Sequence, residues 1–292
     1  MNVTPMSLRV KGLRTRVLIE GLESSAVSDP VVMIHGVGGW AENWREVMAP
    51  IAATGRRAIA IDLPGFGESE GPGRVAHFGP RDPFYPSFIV AVLDELDIRS
   101  AHVVGNSMGG AVAYTTAVSA PHRVRSLALA ASGGLGTDIA PFLRIVTLPG
   151  FVTLARIFGR RESSAEVLRS CFYDPRRIPA SLYEEAERYG LRSFPEFVRA
   201  LRSGVTIRGL KRSLQHHWMS AADRYRGPVL VVWGREDPVL PISHLADAKS
   251  VFPQAEVRVI ERCGHLPMVE QTGEFLDALL PFLARAESTV AA

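Results

Sequence analysis

At 292 residues, 47% hydrophobic and 22% charged, the chain is long enough to bury a large core and too apolar for disorder. Its net charge of +3 and pI near 9.1 reflect a modest arginine excess, with no dense Lys/Arg run among aromatics, so nothing supports nucleic-acid binding. The two cysteines, Cys171 and Cys263, suggest no disulfide framework, and the first residues lack the apolar core of a signal peptide; the expected setting is a reducing cytoplasm.

Along the chain, Leu8–Val10 and Thr15–Ile19 read as a short antiparallel strand pair. Val31–Ile34 is a compact apolar run that ends in His35-Gly-Val-Gly-Gly39. Asn43–Ala53 reads as a helix, with Trp44, Val47, Met48 and Ile51 at helical spacing. Arg57–Ile61 is a buried-strand candidate closed by Asp62-Leu-Pro-Gly-Phe-Gly67, and Pro86–Leu96 is a helix candidate. His102–Gly105 is a strand leading into Ser107, Met108–Ala120 is a helix stopped by Pro121, and Val124–Ala130 is the next strand. Residues 133–221 hold helix-like segments, many arginines and no convincing strand. The earlier rhythm returns with strand Pro228–Val232, helix Ile242–Phe252, strand Glu256–Ile260 and helix Met268–Ala284.

Short apolar strands alternating with helices predict an α/β fold with a mostly parallel central sheet, covered by helices on both faces. Residues 1–132 and 222–292 would form this core. The irregular insert 133–221 starts at a strand end, so it is expected to lie over the same sheet edge as a helical cap. Its apolar stretch 139–158 is interrupted by Pro141, Arg144, Pro149, Gly150 and Arg156. It is therefore expected to pack on the core and line a pocket, not to cross a bilayer.

Two segments match Gly-x-Ser-x-Gly: Gly67–Gly71 around Ser69, and Gly105–Gly109 around Ser107. Ser69 has no strand before it and no helix after it, and reads as a loop serine. Ser107 stands between a strand and a helix. A sharp turn there exposes the hydroxyl and puts the N–H of Met108 at a helix N-terminus, where it can stabilise an oxyanion. A serine hydroxyl needs a base, and the base needs an orienting carboxylate. His265, in Cys-Gly-His-Leu-Pro, follows the last strand. Asp237, in Gly-Arg-Glu-Asp-Pro, follows the strand before it, with Glu236 and then Asp138 as the alternative acids. His35 is assigned to shaping its loop, Asp62 to backbone groups of its turn, and the adjacent His216 and His217 to solvent or packing and not to a metal.

With these residues in place, the chain resembles the α/β-hydrolase-fold serine hydrolases that carry a helical cap. The resemblance rests on five motifs in order: His-Gly-Val-Gly-Gly at 35–39, Asp-Leu-Pro-Gly-Phe-Gly at 62–67, Gly-Asn-Ser-Met-Gly-Gly at 105–110, Trp-Gly-Arg-Glu-Asp at 233–237 and Cys-Gly-His at 263–265. It implies Ser107 as nucleophile, His265 as base, Asp237 as the orienting acid, and the backbone N–H groups of Val37 and Met108 as the oxyanion hole. No cofactor and no metal are implied. A serine nucleophile separates the chain from the dehalogenases and epoxide hydrolases of this fold, which use aspartate. Gly-Asn-Ser-Met-Gly-Gly, Gly133-Gly-Leu-Gly136 and Cys-Gly-His also resemble hydrolases that cleave a C–C bond in ring-opened aromatic metabolites. That group usually has tryptophan after the histidine, where this chain has Leu266, and uses a cap arginine, for which Arg169, Arg188 and Arg192 are candidates. The expected substrate is therefore a small to medium apolar carboxylic ester, with the C–C hydrolase as the alternative. A non-enzymatic small-molecule receptor on the same scaffold would be expected to lack a triad member.

Overall fold

A computed structural model of the chain describes residues 3–21, 28–79, 83–151 and 163–288. An eight-stranded sheet forms the centre. Its strands are β1 (Thr4–Val10), β2 (Leu13–Glu20), β3 (Val31–Ile34), β4 (Ala58–Ile61), β5 (Ala101–Asn106), β6 (Val124–Ala130), β9 (Val229–Gly234) and β10 (Glu256–Ile260). Their order across the sheet is β1-β2-β4-β3-β5-β6-β9-β10. The pairings β4–β3, β3–β5, β5–β6, β6–β9 and β9–β10 are parallel, whereas β1–β2 and β2–β4 are antiparallel.

The inner strands are apolar on both faces because helices cover both. Val32 and Ile34 of β3 join one buried cluster, with Val103 of β5 and Val231 of β9. Val31 and Met33 join the other, with Val104 and Leu230. On the first face pack α2 (Phe84–Glu95) and α3 (Met108–Ser119), through Phe88, Val92, Val112 and Tyr114. On the second pack α1 (Arg45–Ala52) and the C-terminal helix Thr272–Ser288, through Val47, Phe275 and Leu279. Because β3, β5, β9 and β10 run in one direction, the residues that follow them emerge along one sheet edge.

The segment between β6 and β9 contains α4 (Pro141–Ile145), α5 (Ser163–Arg169), α6 (Ala180–Gly204) and α7 (Arg212–Ser220). It also contains a two-residue ladder, β7 (Val205–Thr206) with β8 (Gly209–Leu210). The ladder departs from the strand-free expectation; two residues are too few to show an alternating pattern. The segment reaches the core at several points: Phe197 packs on Gly38, and the Tyr114 hydroxyl of α3 donates to Trp218 O at 2.7 Å. Ile139 and Leu143 face inward, Ile145 and Leu148 are exposed, and positions 152–158 of the apolar stretch lie outside the described residues.

Two helices differ from the expected form. The one read from Asn43 begins with a 3-10 turn, Ala41–Trp44, because the Asn43 side chain accepts the Trp40 N–H at 2.8 Å. The single helix read over Met268–Ala284 is two, Pro267–Glu270 and Thr272–Ser288. The break is at Gln271, with φ −134° and ψ 54°. We label the helices after α7 as α8 (His244–Val251), α9 (Pro267–Glu270) and α10 (Thr272–Ser288).

A very tight fit lies where α3 meets the ends of β3 and β5. A Cβ on Gly105 would sit 2.2 Å from the Gly109 carbonyl oxygen, and one on Gly109 would sit 2.2 Å from that of Ile34. Both obstacles are backbone and cannot rotate away. Gly105→Ala is expected to destabilise the fold by at least about 2 kcal/mol. Urea unfolding would read this as a lowered midpoint; an unchanged midpoint would contradict the packing described.

Candidate active site

Ser107 links β5 to α3 with φ 56° and ψ −121°, an unfavourable backbone for a residue with a side chain. Its neighbours hold it there. Its N–H donates to Ala130 O at 3.1 Å, and its carbonyl accepts the N–H groups of Gly110 at 3.0 Å and Gly133 at 2.8 Å. A Cβ on Gly36 would lie 2.9 Å from Ser107 Cβ, so the loop after β3 closes over the serine only because position 36 has no side chain.

Asp237 and His265 meet directly: His265 Nδ1 donates to Asp237 Oδ2 at 2.8 Å, both side chains being buried. Asp237 Oδ1 accepts the N–H groups of Val239 at 2.8 Å and Leu240 at 2.9 Å. The carboxylate is thus fixed on one oxygen and presents the other to the imidazole. With Nδ1 carrying the proton, His265 Nε2 is an acceptor.

The His265 backbone is also held. Its N–H donates to Cys171 O at 2.7 Å, and its carbonyl accepts Asn106 Nδ2 at 3.0 Å. Asn106 Nδ2 also donates to Ala130 O at 3.1 Å. The residue before the serine therefore ties β5 to the histidine loop. Ser107 Oγ itself forms no hydrogen bond to a described residue. Asn106 stands within the Gly-Asn-Ser motif, but nothing in its local sequence pointed to this link.

The other carboxylates are occupied elsewhere. Glu236 Oε2 accepts the Cys263 N–H at 3.1 Å, and Asp138 is largely exposed and 3.5 Å from Arg144. Ser69 is a buried loop serine, donating to Asp62 O at 2.8 Å and accepting the Arg16 N–H at 2.9 Å. Asp62 accepts the N–H groups of Ala41 and Glu68 and pairs with Arg16, so it serves more than its own turn. His216 and His217 are both exposed. Burial raises the Cys171 thiol to about 12 and pushes the Cys263 thiol up as well, so both are protonated at neutral pH.

Beside Ser107 lies a pocket whose lining carries no charged side chain among the described residues. The core supplies Val37, Met108, Val239 and Leu240. The segment between β6 and β9 supplies Ile139, Leu143, Leu201, Val205, Leu210 and Trp218. None of the three candidate arginines is there. Arg169 lies over the Tyr183 ring at 5.3 Å, Arg188 over Tyr189 at 5.9 Å, and Arg192 faces an outer cleft with Arg14 and Arg199. Val37 and Met108 both border the serine, and neither backbone N–H donates to a described acceptor.

A model of the Alpha/beta hydrolase family matches residues 31–278. The chain belongs to the α/β hydrolase family. It is 32% identical over 289 residues to the 2-hydroxymuconate semialdehyde hydrolase of Pseudomonas sp. strain CF600, covering 95% of this chain and 93% of that one. It is 35% identical over 257 residues to the dihydrolipoyllysine-residue acetyltransferase component of the acetoin cleaving system of Pseudomonas putida. That match takes in 88% of this chain but only 64% of the longer relative. Among solved structures, a bacterial membrane phospholipase A, described as a virulence factor, is similar with a TM-score of 0.77 and 25% identity, over 97% of this chain and 86% of that one. No helix among the described residues of this α/β hydrolase is long and apolar enough to cross a membrane.

His35 shapes the loop over the serine. Its Nδ1–H donates to Gly36 O at 2.7 Å, and its Nε2 accepts the Leu63 N–H at 3.0 Å. Complete burial pushes its pKa down to about 4 from the ordinary 6.5. The folded protein therefore holds this ring neutral, while the unfolded chain takes up a proton below pH 6.5. The stability His35 contributes is fully present above pH 6.5 and is lost as pH falls toward 4, in all about 3 kcal/mol. Urea unfolding of wild type and His35→Gln between pH 7 and 4 is expected to show a shallower acid loss in the variant. Burial also depresses His102, which acts in the same window, so the difference between the two proteins isolates His35. Equal slopes would contradict this assignment.

Proposed function

We propose that this α/β hydrolase is a serine esterase acting on neutral esters with small to medium apolar acyl groups. Ser107 Oγ attacks the ester carbonyl as His265 Nε2 takes its proton. Asp237 holds the imidazole in the required tautomer and stabilises its cation. The N–H groups of Val37 and Met108 receive the oxyanion, each worth about 3 kcal/mol to the transition state. Collapse expels the alcohol, protonated by His265. Water activated by His265 then releases the acid from the acyl-Ser107 intermediate. Residues 133–221 act as a helical cap and select the acyl group, since most of the pocket wall comes from them. The two unpaired cysteines accord with a cytoplasmic setting.

The observation that carries this reading is the uncharged pocket. A ring-opened dienoate ketoacid bears a carboxylate, and burying that charge without a cation or a set of donors is costly. An ester needs no such partner. The named semialdehyde hydrolase is the specific reason to keep C–C cleavage as the second reading.

A panel of p-nitrophenyl esters from acetate to octanoate, with a ring-opened dienoate ketoacid alongside, separates the two. Wild type is expected to turn over the short and medium esters and leave the ketoacid intact. Ser107→Ala is expected to lose at least about 10^4-fold in kcat. Fast ketoacid cleavage with weak ester turnover would reverse the assignment. Inactivity of the folded protein on both would support the receptor reading.

A further inference from the structure

Glu270 is a buried carboxylate that the proposed chemistry does not use. It ends α9, and its oxygens accept three backbone N–H groups. Oε2 takes those of Gly264 at 2.7 Å and Tyr173 at 3.1 Å; Oε1 takes that of Asp174 at 2.7 Å. Gly264 directly precedes His265, whose own N–H donates to Cys171 O. The two stretches press together: a Cβ on Gly264 would lie 2.5 Å from Cys171 O and 2.7 Å from Tyr173 N. Residues 171–174, from the segment between β6 and β9, thus lie peptide against peptide with the histidine loop.

We propose that Glu270 is a positioning residue for His265, and that it makes residues 171–174 part of the frame that aims the base. The proposal rests on the reading of His265 as base. Asp237 fixes the imidazole, Cys171 the His265 N–H, and Asn106 the His265 carbonyl. The peptide plane between Cys263 and Gly264 is what remains: its carbonyl accepts the Glu236 N–H at 3.1 Å, and its N–H is held by Glu270 alone. Hydrogen bonds to a carboxylate are about twice as strong as neutral ones. A carboxamide at the same place has one acceptor oxygen and turns an NH2 toward a donor, so it cannot serve Gly264 and Asp174 together. The histidine loop then rotates slightly, and small misplacements of a reacting group are costly in rate. The same contact predicts that replacing residues 133–221 as a block alters catalysis as well as acyl preference, because the block includes 171–174.

The test is Glu270→Gln with p-nitrophenyl butyrate at 25 °C, well below the variant's unfolding temperature. The expected result is a kcat lowered by about 10- to 100-fold with KM within about twofold, as for a misaimed base. A purely structural role would lower the melting temperature and leave kcat of the folded variant at the wild-type level, and that result overturns the proposal. Should the variant not fold, amide hydrogen exchange on wild type decides. Gly264, Tyr173 and Asp174 are expected to open as one unit with similar protection. Free exchange at 173 and 174 beside a protected Gly264 overturns the coupling. A wild type inactive on esters, or an active Ser107→Ala, would instead remove the serine-esterase reading itself.

Discussion

The site depends on how closely the first turn of α3 approaches the ends of β3 and β5. Glycine at 105 and 109 lets backbone meet backbone with no side chain between. That contact places Ser107 at a positive φ and brings the loop after β3 within reach, with Gly36 over the serine and Val37 beside it. Strain at one residue persists only where the surroundings over-determine it. Here Ala130, Gly110 and Gly133 all bond the Ser107 peptide.

A second constraint comes from the histidine side. Asp237 is fixed by two amides of its own turn, which leaves one oxygen for His265. The loop of His265 is then fixed from two directions: Asn106 reaches it from β5, and Cys171 from the inserted segment. The inserted segment therefore does two jobs. Leu143, Leu201 and Trp218 shape the apolar wall, while 171–174 support the His265 loop. A substrate that displaced these residues would disturb both the pocket and the chemistry.

Much of this was legible in the sequence. The inner strands stood out because residues such as Val31–Ile34 and Val103–Val104 are buried on both faces and form unbroken apolar runs. Ser107 was separable from Ser69 by what precedes and follows each. Asp237 and Glu236 are neighbours in sequence with the same chemistry, and only their directions distinguish them. The candidate arginines could not be excluded from sequence, since a helix presents its residues to solvent or pocket according to packing that its composition does not report. Glu270 left no signal, because Pro-Met-Val-Glu-Gln reads as ordinary helix. Its role arises from the break at Gln271 and from partners 97 and 96 positions away.

Everything in the proposed chemistry requires Ser107 to be the nucleophile beside the uncharged pocket. Diethyl p-nitrophenyl phosphate traps a serine nucleophile without relying on slow deacylation. Stoichiometric loss of ester turnover is expected, with the diethylphosphoryl group on Ser107 by peptide mass spectrometry. Labelling at another residue such as Ser69, or full turnover in unlabelled or labelled protein alike, would contradict it.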